Sequence, residues 1–316
     1  MLYFFRLIRY KNLLIIILTQ YLMRWSIIKP ILTAYNFELQ FSELNFFFLV
    51  MATVLLTAAG YVINDYFDAK TDMVNRPDTV IVGRVLNRRW AILWHVIINI
   101  VGIGLGAYIS FYIGIPSLTL VFIMVTGILW FYSTTYKRQF LIGNVIVALL
   151  TAMVPLMVLL FEIPLLNQKY GLLMEELRSD FTHIIVWVMA FSVFAFLLTM
   201  IREIIKDIED YEGDSIYGRK TLPIVTGVLN SKIVIITFIL TTIFSLLYIN
   251  FTFLNDKITL VYFSIFLLIP LVLLLYKIIK ASSKKDYHKA SNLTKWIMLS
   301  GISYALVANY IINHTF

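Results

Sequence analysis

The chain contains nine long apolar stretches, and these constrain its fold more than any other feature. A helix that crosses about 30 Å of hydrocarbon needs about 20 apolar residues. We place such stretches near 12–34, 45–63, 89–111, 115–133, 141–161, 181–201, 232–251, 258–278 and 292–312. Hydrophobic residues make up 60% of the 316 residues, against about 45–50% in soluble domains. The sequence therefore predicts an all-α, multi-pass membrane protein with a single domain, 1–316.

Basic residues predict how these spans are oriented. All but five of the 26 Lys and Arg residues lie at the N-terminus or near the segments after the second, fourth, sixth and eighth spans. Cytoplasmic segments are enriched in Lys and Arg, so we expect a cytoplasmic N-terminus and a C-terminus outside. The net charge of +8 follows this topology, and we expect no nucleic-acid partner and no obligate protein partner. Arg24 falls inside the first span, where it either snorkels to the interface or faces a cavity.

Two acidic clusters with the same internal spacing follow the second and the sixth spans. Each has aspartates at i, i+3 and i+7, namely Asp65, Asp68, Asp72 and then Asp207, Asp210, Asp214. On a helix this spacing places all three on one face. Without metal, the two clusters would repel each other if brought together. Mg²⁺ prefers oxygen ligands that substrate phosphates often complete, so the clusters predict a magnesium site on the cytoplasmic side for a phosphate-bearing substrate.

Other residue types narrow the chemistry. The chain has no cysteine, which excludes thiolate metal ligands and a cysteine nucleophile. Arg binds phosphate oxygens in a bidentate fork and Lys acts as a point charge. The basic candidates near the clusters are Arg76, Arg84, Lys137, Arg138, Arg202, Lys206, Arg219 and Lys220. Tyr132 lies next to the Lys137 segment, and a ring face there would stabilise a carbocation.

Three segments, in the expected order, resemble the UbiA superfamily of intramembrane prenyltransferases. Residues 64–72 resemble its first aspartate-rich motif, 132–144 its segment between helices four and five, and 207–214 its second motif. The resemblance covers essentially the whole chain. It implies nine transmembrane helices around a central cavity, with a cytoplasmic cap from the loops after helices 2, 4, 6 and 8. It also implies Mg²⁺-dependent transfer of a polyprenyl group, within the lipid bilayer, from its diphosphate to a lipophilic acceptor.

Carried onto this chain residue by residue, the resemblance implies two metal sites and a catalytic centre between them. The metal ligands would be Asn64, Asp65, Asp68, Asp72, Asp207, Asp210 and Asp214. The catalytic residues would be Asp65, Asp68, Asp207, Lys137 and Tyr132. The substrate-binding residues would be Arg76, Arg84, Lys137, Asn144, Arg202, Lys206 and Lys220.

Residues 75–84 and 202–224 are similar, more narrowly, to archaeal-type members that attach a second geranylgeranyl group to geranylgeranylglyceryl phosphate, forming an ether lipid. Residues 78–82 depart from that pattern because they replace a basic-Pro-Ile sequence. An aromatic prenyltransferase of quinone biosynthesis, with 4-hydroxybenzoate or naphthoate as acceptor, is therefore the alternative. A transporter fits less well because the charges cluster at span ends. A lipid-binding scaffold would leave the metal motifs without a use.

Overall fold

The computed structural model describes residues 2–176 and 178–315, and within these it has nine helices long and apolar enough to cross a membrane. In chain order they are α1 Tyr10–Ala34, α2 Glu43–Asn75, α3 Arg88–Tyr112, α4 Pro116–Arg138, α5 Ile142–Glu176, α6 Thr182–Glu209, α7 Leu222–Leu254, α8 Lys257–Lys280 and α9 Lys284–His314. The nine predicted spans are confirmed. The domain predicted over 1–316 also includes residues 1, 177 and 316, which lie outside the described residues.

Several helices extend beyond the apolar stretch that predicted them. We expected the second span to end at 63 and the sixth at 201, but α2 continues to Asn75 and α6 to Glu209. An apolar window measures only what suits hydrocarbon, whereas polar residues such as Glu, Lys and Asp also occupy helices beyond it. At its start, α2 is capped by the Ser42 hydroxyl, which accepts a hydrogen bond from the backbone N–H of Asn45.

Six helices surround a central cavity. Its lining comes from α1, α2, α4, α5, α6 and α9, and it includes no described residue of α3, α7 or α8. Between the helices lies a continuous core with fully buried side chains such as Phe46, Ile201 and Leu271. Since lipid is as apolar as this core, close packing holds the helices together more than removal from water does.

A buried ionic network ties the bundle together at the end opposite the acidic clusters. Arg24 on α1 is 1% exposed, and its Nη1 donates to Glu162 Oε2 on α5 at 2.9 Å. Its Nη2 donates to Glu43 Oε1 at 2.9 Å and to the carbonyl oxygen of Phe41. The other Glu162 oxygen accepts from the backbone N–H groups of Gln40 and Phe41. Arg24 is therefore neither snorkelling nor among the cavity-lining residues, because the buried Glu162 and the exposed Glu43 neutralise its charge.

Candidate active site

The first acidic cluster lies on the last turns of α2 rather than in a loop beyond it. Asp65, Asp68 and Asp72 share one helical face, as their spacing predicts. Asp68 is buried and the other two are half-buried. Arg9, the residue before α1, donates from Nη2 to Asp65 Oδ1 at 2.9 Å. The N-terminal end of α1 is thereby held against this cluster.

The second cluster does not lie on one continuous helix, so the expectation of a shared face is wrong here. Asp207 is on the last turn of α6, Asp210 follows its end, and Asp214 belongs to the short helix Tyr211–Ile216. In this short helix, Gly213 packs against Asn75 at the end of α2. The N–H of Gly213 donates to Asn75 Oδ1 at 2.9 Å, and a Cβ at this position would overlap the Asn75 side chain.

Basic side chains join the two clusters. Arg76 donates from Nη2 to both Asp210 oxygens at 2.8 Å. Arg219 contacts both clusters, since its guanidinium lies 2.5 Å from Asp68 Oδ1 and 3.2 Å from Asp214 Oδ1. The structure thus brings together two motifs that are far apart in the sequence, with cations between their carboxylates.

The segment between α4 and α5 completes this region. Lys137 is buried, and its Nζ lies 2.8 Å from Asp68 Oδ1 and donates to Asn64 Oδ1 at 3.2 Å. Asn144, near the start of α5, donates from Nδ2 to Asp207 Oδ2 at 2.8 Å. The adjacent Gly143 lets α5 approach the turn that carries Lys137, because a Cβ there would be 2.8 Å from Lys137 Cα.

Burial sets the charge state of the carboxyls that follow α6. Desolvation raises the pKa of Asp214 to about 6, although nearby Arg219 opposes the shift. Desolvation likewise raises the pKa of Asp210 despite its ion pair with Arg76. Carboxyls of this kind gain from a cation that compensates for the lost hydration.

The residues present suit a magnesium ion that phosphate completes, rather than an all-protein cage. Among the described residues, no three His, Asp or Glu side chains are close enough to hold a metal ion by themselves. The donor atoms are nevertheless carboxylate and amide oxygens, which suit Mg²⁺, and Mg²⁺ commonly takes only one or two carboxylates beside water and phosphate. Asp214 Oδ1 is buried and pairs with Arg219 at 3.2 Å without accepting a hydrogen bond, so a metal cation would give this carboxylate a closer partner.

A cavity of about 260 Å³ lies beside these clusters, with Asn64 of the first motif in its wall. Its inner part is apolar, with Leu56, Phe122 and Met157 among its walls. Its polar part includes Asn64 and the half-buried Tyr132. The cavity can therefore hold an apolar chain whose polar end lies near the carboxylates.

Not every predicted binding residue contacts the clusters. Arg84 is exposed and donates to the carbonyl oxygen of Pro77, and the Lys220 side chain is exposed. Arg202 and Lys206 line the cavity and contact Glu203. Three residues of this region were not predicted from the sequence, which are Arg9, Glu203 and Lys295. Arg219 was predicted only as a basic residue near the second cluster, without a binding role. Helical spacing would have indicated Glu203, which lies three residues before Lys206, but no sequence signal distinguishes Lys295 from other lysines.

The fold and the site together define an integral, multi-pass membrane protein. At one end of its apolar cavity, two clusters of aspartates are joined by basic side chains. A family model for the UbiA prenyltransferase family matches residues 30–299. The chain is also 30% identical over 285 residues to the digeranylgeranylglyceryl phosphate synthase of Methanosphaera stadtmanae, covering 87% of this chain and 89% of that one. The chain therefore belongs to the UbiA prenyltransferase family, and the resemblance noted in its motifs is confirmed.

Solved structures agree on the fold. The apo structure of a UbiA homolog from Aeropyrum pernix K1 superposes with a TM-score of 0.65 at 14% identity, covering 92% of this chain and 98% of that one. A UbiA homolog from Archaeoglobus fulgidus, solved with DMAPP and Mg²⁺ bound, gives a TM-score of 0.57 at 14% identity, covering 96% and 99%. At this identity the likeness shows the architecture alone.

Proposed function

We propose that this prenyltransferase moves a geranylgeranyl group from its diphosphate to the glycerol hydroxyl of geranylgeranylglyceryl phosphate, in a Mg²⁺-dependent reaction that forms an ether lipid. The observation that carries the proposal is the joining of two aspartate motifs by basic side chains at the polar end of an apolar cavity. The name of the Methanosphaera relative supports the acceptor. The DMAPP and Mg²⁺ bound to the Archaeoglobus homolog support the donor class and the metal.

The oxygen-bearing residues of the two motifs would hold magnesium. One site would use Asn64, Asp65, Asp68 and Asp72, and the other would use Asp207, Asp210 and Asp214. When bound, Mg²⁺ neutralises charge that develops on the departing diphosphate. Arg219 and Lys137 both contact Asp68, so these cations lie where they could also bind phosphate oxygens.

The protein's own groups bind the donor and protect the reacting carbon. Arg76 and Lys137 would grip the diphosphate, with Arg219 between them, because a guanidinium forms charge-assisted bonds to phosphate oxygens. Tyr132 would turn its ring toward the allylic cation. The bond between the allylic carbon and the diphosphate oxygen breaks, and the diphosphate leaves with the electron pair. The glycerol hydroxyl oxygen then bonds to the allylic carbon, and its proton passes to the released diphosphate. The apolar walls exclude water, which would otherwise hydrolyse the cation.

We also propose that the N-terminus and the active site face the cytoplasm and that the C-terminus lies outside. The distribution of Lys and Arg along the chain supports this orientation. The acidic clusters, the Lys137 turn and the segment between α8 and α9 would then form one cytoplasmic cap over the cavity.

A product assay on purified protein in detergent tests the function. We would supply geranylgeranyl diphosphate, with and without Mg²⁺, together with geranylgeranylglyceryl phosphate or 4-hydroxybenzoate. We expect a diether product from the glycerol lipid only when Mg²⁺ is present. Prenylated benzoate without diether would instead assign the enzyme to quinone biosynthesis, and diether formation without Mg²⁺ would contradict the role of the metal.

A further inference from the structure

The cavity carries more positive charge than its own acidic residues neutralise. Four cations line it, namely Arg9, Arg202, Lys206 and Lys295. Glu203 is the one acidic residue in the lining, as far as the described residues show. Charged groups at membrane depth are costly unless they are paired or face a polar ligand. The excess therefore calls for an anion in the cavity.

The pairing of these cations defines the size of the excess. Arg9 is neutralised by Asp65 at 2.9 Å and lies over the ring of Tyr61. Glu203 Oε1 accepts from both Arg202 Nη1 at 2.8 Å and Lys206 Nζ at 2.7 Å. One carboxylate thus serves two cations, and Arg202 Nε is buried without a hydrogen-bond partner.

Lys295 on α9 adds a further unneutralised charge. Within the described part of the chain, its ammonium group has no hydrogen bond and no ion pair, while the charges of Arg202 and Arg9 act on it. Lys295 lines the cavity and is also exposed, which places it where the cavity opens. Three cations, Arg202, Lys206 and Lys295, therefore face one carboxylate, an excess of two positive charges.

These cations are distinct from those that join the acidic motifs. Arg76, Lys137 and Arg219 contact Asp210, Asp68 and Asp214. Arg202 and Lys206 instead contact Glu203, which belongs to neither motif. One group of basic side chains therefore lines the cavity, and the other lies on the motif aspartates outside its lining. Two separate groups of cations indicate that two anionic groups bind at the same time.

We propose that Arg202, Lys206 and Lys295, beside the Arg9–Asp65 pair, form an anion subsite for the phosphate of the acceptor lipid, separate from the diphosphate site. This proposal rests on the proposed function, since it assumes an acceptor with a phosphate headgroup. A phosphate monoester carries a charge of about −1.5 to −2 at pH 7, which matches the excess of two positive charges. A benzoate acceptor carries about half that charge. The subsite therefore favours the phospholipid and positions its glycerol end near the carboxylates.

The test compares acceptors that differ only in the phosphate. We would measure initial rates with saturating geranylgeranyl diphosphate and Mg²⁺, varying either geranylgeranylglyceryl phosphate or phosphate-free geranylgeranylglycerol. In Lys295→Met we expect the KM for the phosphate acceptor to rise about 10- to 100-fold, because a hydrogen bond from a charged group is lost. The KM for geranylgeranyl diphosphate and the rate with geranylgeranylglycerol should stay at their wild-type values.

Matched variants and a binding measurement complete the experiment. Lys289→Met, at an exposed position on the same helix, should behave as wild type, and Lys295→Arg should restore the KM. The phosphate acceptor should raise the Tm of the wild type more than geranylgeranylglycerol does, and Lys295→Met should abolish this difference.

Three results would overturn the subsite in different ways. An unchanged acceptor KM in Lys295→Met, in an enzyme that still forms the diether, would overturn the subsite and leave the proposed function standing. An equal rise in the KM for geranylgeranyl diphosphate would assign these cations to the donor instead. Absence of diether from wild-type protein with either glycerol lipid would overturn the proposed function and the subsite together.

Discussion

Asp68 is the residue that two cations of the proposed diphosphate site, Lys137 and Arg219, both contact. It is buried, and its Oδ1 lies 2.8 Å from Lys137 Nζ and 2.5 Å from an Arg219 nitrogen. Asp68→Asn keeps the shape and removes the charge, so we expect turnover to fall about 100- to 1,000-fold, as for loss of one preorganised electrostatic contact. The measurement is kcat with saturating substrates, alongside the Tm. Asp78→Asn, at an exposed position, is the control, and wild-type turnover of the Asp68 variant would contradict its role.

The carboxyl of Asp214 predicts a pH dependence for magnesium binding. Burial raises its pKa to about 6, so below pH 6 it is protonated and cannot serve as an anionic ligand. We expect the apparent Mg²⁺ affinity to fall as pH drops below 6, because binding must release the proton. In the metal-free protein the sign is opposite. The raised pKa stabilises the fold fully below pH 4, and this stabilisation is lost as pH rises through 6.

Thermal unfolding at pH 5, 6, 7 and 8, with and without Mg²⁺, separates these two effects. The Mg²⁺-dependent rise in Tm should grow from pH 5 to pH 7 in the wild type. Asp214→Asn should show a smaller rise with a flatter pH profile. A rise in Tm that is equal at every pH in the wild type would contradict a protonated Asp214.

Residue-level detail was only partly predictable from the sequence. The motif aspartates, Lys137 and Asn144 all lie together as expected. Arg219 and Lys220 are adjacent basic candidates, and substrate binding was predicted for Lys220 alone, yet Arg219 contacts Asp68 and Lys220 is exposed. Many cations are close to the clusters in sequence, and only the path of the chain decides which one reaches a carboxylate.

At the scale of whole helices, hydropathy predicted that the nine helices exist and in which order they follow, but it did not predict their lengths. Every span was found because about 20 apolar residues are needed to cross hydrocarbon. The ends of α2 and α6 were missed because they are polar. The break at Asp210 was missed as well, and close to it Gly213 packs against Asn75, 138 residues away. Such a contact leaves no trace in local spacing.

The packing of α3 against α4 predicts control of the prenyl chain length. Phe122 on α4 lines the cavity, and a Cβ added to Gly106 on α3 would overlap its ring. Gly106→Ala should push the ring into the cavity and shorten the space for the donor chain. We expect the ratio of kcat/KM for the two donors to shift about 10-fold from geranylgeranyl diphosphate toward the shorter farnesyl diphosphate. A small change of volume in an apolar pocket has an effect of this size.

Gly104→Ala is a matched control for this change. Gly104 lies on the same helix, and an added Cβ would meet no atom within 4 Å, so the ratio of kcat/KM for the two donors should stay at the wild-type value. The same shift in both variants would attribute the effect to helix propensity rather than to Phe122.

At the scale of the whole molecule, the proposed orientation can be tested cleanly because the chain has no cysteine. Ser282, between α8 and α9, and Ser179, between α5 and α6, are both exposed. In intact cells a membrane-impermeant maleimide should label Ser179→Cys at once. It should label Ser282→Cys only after the membrane is permeabilised. The reverse pattern would invert the topology.

The length of α2 determines where the two reaction products go. Its 33 residues extend about 50 Å at 1.5 Å per residue, well beyond the roughly 30 Å of hydrocarbon, and the first motif occupies its far end. The carbon–oxygen bonds of the proposed reaction would therefore break and form at the boundary of two immiscible phases. Diphosphate partitions into water, and the twice-alkylated lipid stays in oil. Each product leaves by its own solubility, so neither has to cross the other's phase before the next donor binds.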